Sequence, residues 1–229
     1  MTRTHFLVPA SFLSLLWLLF GALPASAQPV QTWATSRMTQ SDTGNLVEFL
    51  WAKGNRMRSL TVIAGRPVIT LVNSTQYIII DELSREGVSI GRSPVARKQD
   101  AKRGRPFGNE AADLIAAGAE KISGGVESGL EATQYRLNGP GVKQEIWVTA
   151  GDYELPVEIY RYFRKTASEM RIRYLGWSPG LPIPDWFLEP PADVTLEVVT
   201  YEEYIERSKT EPVGPAPPFY AELLHGRRE

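Results

Sequence analysis

From Gln31 to Ile90 the chain is written in the residues of extended backbone, and the gaps between its runs are too short for anything but hairpins. Runs rich in β-branched and aromatic residues fall near Thr32 to Thr39, Leu46 to Lys53, Arg56 to Ala64, Pro67 to Asn73 and Gln76 to Asp81. Ser41-Asp42-Thr43-Gly44, Gly54-Asn55, Gly65-Arg66 and Ser74-Thr75 separate them. Connections this short can join only antiparallel neighbours, so this half of the chain is predicted to be a meander.

The pattern breaks between Gly91 and Gly108 into a polar, basic stretch. Asn109 to Lys121 then has helical composition, with Asn109 placed as N-cap and Ala111, Leu114, Ile115 and Gly118 on one face. An apolar stripe that narrow predicts a helix lying on a sheet. Strand character returns at Lys121 to Glu127, Ala132 to Leu137, Lys143 to Thr149, Pro156 to Lys165 and Glu169 to Trp177. In the last of these Met170, Ile172 and Tyr174 share one face while Arg171 and Arg173 share the other. Tyr135 with Leu137, Ile146 with Val148, and Val157 with Ile159 repeat the pattern, so one face of this sheet is apolar over several strands. A Pro-rich loop from Pro179 to Pro191, a strand from Val194 to Thr200 and a short helix from Tyr201 to Lys209 follow. After Thr210, the prolines at 212, 215, 217 and 218 predict a disordered tail over residues 210–229. The expected fold class is mainly β with minor α. One domain over residues 28–209 would hold a single curved antiparallel sheet, an incomplete barrel of about ten to eleven strands covered by one or two helices.

Ahead of the meander, Arg3 precedes an apolar stretch from Phe6 to Leu23, and Ala25-Ser26-Ala27 supplies the small-x-small pattern of a cleavage site. Residues 1–27 are therefore expected to be a signal peptide removed after Ala27. Pro9, Ser11, Ser14 and Gly21 interrupt the stretch and argue against an uncleaved membrane span. The remainder carries 24 Lys plus Arg against 26 Asp plus Glu, a net charge of −2, without the basic excess of nucleic-acid-binding proteins. It has no cysteine, hence neither disulfides nor a lipid-anchoring amino-terminal thiol. The expected location is the bacterial periplasm, in soluble form.

The two histidines fall in the expected signal peptide, at His5, and in the expected tail, at His225. A body without His or Cys lacks the residues of transition-metal sites and of the usual nucleophile–base pairs. Gly176-Trp177-Ser178-Pro179-Gly180 matches the G-x-S-x-G elbow, with Asp185 and His225 following in hydrolase order. Pro179 stands where the next N–H should help form the oxyanion hole, and Leu181-Pro182-Ile183-Pro184 cannot start the helix the motif needs. No catalytic residue, metal or cofactor is assigned.

Two features remain. Arg92, Arg97, Lys98, Lys102, Arg103 and Arg105 stand against Asp100 alone, a local charge of +5. They make either a solvated loop or a contact for anionic head groups or an acidic partner. The tryptophans at 33, 51, 147, 177 and 186, with a wide apolar face and only one or two helices to cover it, leave room for an apolar concavity of the kind that holds ligands.

Glu145-Ile146-Trp147-Val148, Leu155-Pro156-Val157 after a Gly-Asp turn, the charged-apolar strand ending near Tyr174, and Ile183-Pro184 with Phe187 and Pro190-Pro191 together resemble the LolA/LolB-like superfamily of periplasmic lipoprotein carriers and their relatives. Lys53-Gly54-Asn55-Arg56-Met57-Arg58 is similar to an earlier strand of that family. The resemblance implies an incomplete antiparallel barrel closed by a helical lid, holding acyl chains on its concave face with no covalent step. LolB-type members are anchored by an amino-terminal cysteine that is absent here, and the basic loop has no counterpart. The expected function is that of a non-enzymatic periplasmic carrier of a lipid or lipid-modified protein. Its hollow would be lined by Tyr135, Leu137, Ile146, Val148, Val157, Ile159, Met170, Ile172 and Tyr174; a register slip would place Trp147 and Tyr160 inside instead. The alternative is a regulatory or assembly module that binds another envelope protein through the basic loop and the tail.

Overall fold

The computed structural model describes residues 31–227 apart from 43 and 151–153; the expected signal peptide lies outside these residues. The meander forms as β1 (Thr32–Ser41), β2 (Gly44–Lys53), β3 (Arg56–Ile63), β4 (Arg66–Val72) and β5 (Gln76–Asp81). It continues into a strand the residue pattern does not announce, β6 (Glu86–Gly91), whose side chains include two glycines and a serine. A second meander comprises β7 (Glu120–Glu127), β8 (Leu130–Asn138), β9 (Val142–Thr149), β10 (Pro156–Phe163) and β11 (Ser168–Pro179). β1 joins the two by pairing with both β2 and β11. β12 (Thr195–Val199) closes the far edge in parallel with β6, so the order is β12-β6-β5-β4-β3-β2-β1-β11-β10-β9-β8-β7. The sheet is one open, curved half-barrel of twelve strands.

Cross-strand register shows that one face runs unbroken through both meanders. Tyr135, Ile146, Ile159, Ile172 and Thr39 are successive partners, and so are Tyr174, Arg37, Glu48, Thr61, Val68 and Asp81. All the helices that share a core with the sheet lie on this inner face. The link from β6 to β7 must travel from the second strand at one end of the sheet to the far edge, and it carries α1 (Pro94–Asp100) and α2 (Glu110–Ala116). α1 starts where Ser93 Oγ accepts from the Ala96 N–H at 3.0 Å, a side-chain N-cap followed by Pro94 in the first turn. α2 is shorter than its composition predicts, because Gly118 takes a left-handed conformation (φ +88°) just past its end.

The segment after Thr210 corrects the expectation of a disordered tail. Beyond α3 (Tyr201–Arg207) it crosses the inner face of the first meander and ends in α4 (Ala221–His225). Val213, Tyr220, Leu223 and Leu224 are buried in one core with Leu50, Met57, Tyr77, Ile79 and Ile90. Prolines forbid a helix but not an extended chain that spends its few apolar side chains on an exposed sheet. Gly214 permits the approach. Its φ is +86°, and a Cβ there would collide with Val88 Cγ1.

The link from β11 to β12 straps the opposite, outer face. Ile183 O accepts from Lys53 Nζ at 3.3 Å, Phe187 O from Arg58 Nη1 at 3.1 Å, and Phe187 lies edge-on to Trp51. Lys53 and Arg56 both pair with Asp185 on this strap, and their hydrogen bonds hold its carboxyl below the usual carboxylate range. A carboxylate of lowered pKa contributes its tether above the unfolded value of about 3.9 and loses it as pH falls further. Asp185→Asn should therefore raise amide exchange across residues 183–189 between pH 5 and 7, with the difference from the native chain shrinking below about pH 4 and vanishing once the pH passes below the carboxyl's lowered value. A difference that persists in acid would assign the effect to something other than this carboxylate.

Candidate functional site

On the inner face of the second meander, Ile146, Val148, Ile159, Ile172 and Tyr174 form a buried cluster, with Tyr135, Leu137 and Met170 packed against it. These are eight of the nine residues the alternation pattern selects. The ninth, Val157, is buried but stands apart from the cluster, at a break in the β9–β10 register between Pro156 and Glu158. Trp147 and Tyr160 pair in register with Glu158 and Glu145 on the outer face, so the alternative register is not the one adopted. Arg171 and Arg173 also face outward, where both bind Glu158.

A single short helix roofs this cluster. Only Ala111 and Leu114 of α2 are buried, and both contact the cluster. Between α2 and the strands lies a cavity of about 190 Å³ with an apolar floor of Leu137, Ile146 and Ile159 under Leu114 and Ala117, and a polar rim of Glu110, Asp113, Gln144 and Arg161. Two larger clefts flank the same helix, of about 470 and 600 Å³, and Asp113 lines all three. The roof thus covers its floor incompletely. The first meander differs, since its inner face is filled by the carboxy-terminal segment.

A polar cluster marks the boundary between the halves. Arg37 donates to both oxygens of Glu48 at 2.6 and 3.1 Å, Tyr220 Oη donates to Glu48 Oε1 at 2.8 Å, and Tyr174 Oη donates to Glu110 Oε1 at 2.7 Å. Burial, reinforced by the adjacent carboxylates, pushes the Tyr174 and Tyr220 hydroxyls well above the ordinary phenol range, so both remain donors. Glu110 Oε2 is buried without a hydrogen-bond partner among the described residues. Residue parity could have flagged this cluster: Glu48 sits on the inward-facing row of β2 with Leu50 and Ala52. Arg37 stands opposite it on the neighbouring strand β1, whereas Tyr220 and the cluster's Glu110 come from distant segments and leave no such trace.

The basic stretch is not a uniform surface. Arg92 is 3% exposed and gives both terminal nitrogens to Asp100, at 2.6 and 2.8 Å. Its remaining bonds go to the carbonyls of Leu223 and Asn73. Arg105 is buried between Trp33 and Trp177, with its guanidinium 5.2 and 5.6 Å from their ring centres, and donates to Gly108 O. Both are internal ties rather than surface contacts. Arg97 and Lys98 are exposed on α1, and Lys102 and Arg103 line the 600 Å³ cleft beside α2. The Ser178, Asp185 and His225 of the elbow-like motif are each placed elsewhere: on β11, in the strap, and against Tyr201.

No protein-family model and no curated protein sequence matches the chain. Solved structures do. A conserved protein from Thermus thermophilus superposes with a TM-score of 0.50 at 8% identity, over 73% of this chain and 90% of that one. The architecture is the LolA/LolB-like open half-barrel. The MucB chain of the Pseudomonas aeruginosa MucA/MucB complex aligns at 11% identity and a TM-score of 0.48, over 74% of this chain but only 59% of its own length. Lipoprotein LppX of Mycobacterium tuberculosis aligns at 9% and 0.44, over 68% and 89%. Within this LolA-like frame, the half of the hollow under α2 is the part left open.

Proposed function

We propose that the protein is a non-catalytic binding protein of the bacterial envelope, sheltering an acyl chain of a lipid or lipid-modified protein between α2 and the inner face of β8–β11. The observation that carries this reading is the incomplete roof: a broad apolar floor, two buried side chains above it, and cavities on the flanks of the same helix. Each methylene buried there adds about 0.8 kcal/mol, so modest displacement of α2 would be repaid by one chain. The helix is seven residues long and held mainly by Ala111, Leu114 and the contacts of Glu110 and Asp113, which suits a lid. The names of the MucB and LppX structures fit an envelope setting, in which the alternative of a protein-binding module also belongs.

Ala117 is exposed yet lines the cavity over the apolar floor, so Ala117→Trp should fill the space without removing any core contact. Binding of N-phenyl-1-naphthylamine, an uncharged apolar probe, should fall about tenfold or more with the melting temperature nearly unchanged. Unaltered probe binding would move the acyl site elsewhere. Native mass spectrometry of protein from its own envelope gives the complementary result: co-purified lipid supports the carrier, a stoichiometric protein partner the module.

A further inference from the structure

The largest cleft beside α2, about 600 Å³, is lined by Lys102, Arg103, Arg105 and Arg227 against only Asp113 and Glu154, a net charge of +2. Part of that charge is committed. Arg227 pairs with Asp113, and Arg105 donates to Gly108 O. Arg103 is different. Its Nη2 donates to Glu222 O at 3.3 Å, but its Nη1 is buried with no hydrogen-bond partner among the described residues. Burial first, and the neighbouring Arg227 charge second, hold the Arg103 guanidinium below its ordinary pKa, the condition an incoming anion relieves. Lys102, exposed on the same rim, has no ion-pair partner among the described residues.

We propose that this cleft is an oxyanion site of the phosphate class, with Arg103 as its central donor and Lys102 as its flexible cation. A buried guanidinium N–H without an acceptor costs stability, and a phosphate oxygen supplies the acceptor in a charge-assisted bond. The phosphate can be a lipid head group or a free ion. In its head-group form the site rests on the proposal above, because Asp113 lines both this cleft and the cavity under α2 and so sets head-group and chain sites on two sides of one helix. As an anion site it stands on its own geometry. Arg97 and Lys98 on α1 are equally charged and exposed but do not line the cleft.

The test is calorimetric titration of residues 28–229 with inorganic phosphate and with dihexanoyl phosphatidic acid. Both should bind, and raising salt from 50 to 500 mM should weaken both steeply. Lys102→Gln/Arg103→Gln should lower affinity about tenfold or more, and Arg103→Lys should restore most of it, whereas Arg97→Gln/Lys98→Gln, with the same charge change, should cost less than about twofold. Phosphatidic acid binding at least about tenfold tighter than phosphate assigns the site to head groups; equal affinity assigns it to the free ion. No binding of either ligand, or equal losses from the two double variants, overturns the site. Binding of the uncharged naphthylamine probe separates the two proposals: retained probe with no phosphate binding overturns this site alone, and the reverse overturns only the acyl reading.

Discussion

Deleting residues 211–229 is expected to unfold the domain rather than trim it. Val213, Tyr220, Leu223 and Leu224 are core residues of the first meander. Truncating one large buried apolar side chain costs about 2–5 kcal/mol, against a total stability of about 5–15 kcal/mol for a typical domain. The deletion also removes the Tyr220 hydroxyl from Glu48 and the Leu223 carbonyl from Arg92. The shortened chain should show no cooperative thermal transition, or one lowered by more than about 10 °C, and Leu224→Ala alone should lose about 2–5 kcal/mol in denaturant titrations. A melt like that of the longer chain would mean that the segment only rests on the barrel.

Arg92→Met should cost about 3–5 kcal/mol while leaving phosphate affinity unchanged. The Arg92 side chain is fully shielded from solvent, and the substitution strands Asp100 and the carbonyls of Asn73 and Leu223. Its charge is spent inside the protein. Arg103→Gln should show the opposite division, a larger loss of anion binding than of stability. Chemical denaturation beside phosphate titration of the two variants separates the roles, and a drop in phosphate affinity for Arg92→Met with stability intact would reverse the assignment.

Much of the sheet was readable because a strand with one buried face writes a period of two into its residues. Met170, Ile172 and Tyr174 against Arg171 and Arg173 settle the facing of β11, and short polar turns settle the neighbours within each meander. The missed strand β6 has no such signature: its Ser89 and glycines are tolerated because β5 and β12 supply its backbone bonds from either side. Eight of the nine selected apolar residues share one cluster, while Val157 is set apart by a register break that no alternation pattern encodes.

The basic stretch shows where local reading ends. Arg92, Arg97, Lys98, Lys102, Arg103 and Arg105 look alike as a run of charge, but burial divides them into ties, exposed cations and cleft-lining cations. Asp100 neutralises Arg92 only because α1 turns it back, and the acceptors from Leu223 and Glu222 arrive from the other end of the chain. By itself the sequence determined every strand but β6, the antiparallel pairing within each meander and the apolar face of the second, since these follow from local periodicity and turn length. Only the tertiary structure decided that the carboxy-terminal segment fills one half of the hollow, that a seven-residue helix roofs the other, and which arginine keeps an unspent donor. Those outcomes depend on contacts between segments far apart in the chain, more than a hundred positions for the carboxy-terminal segment, which no window of neighbouring residues records.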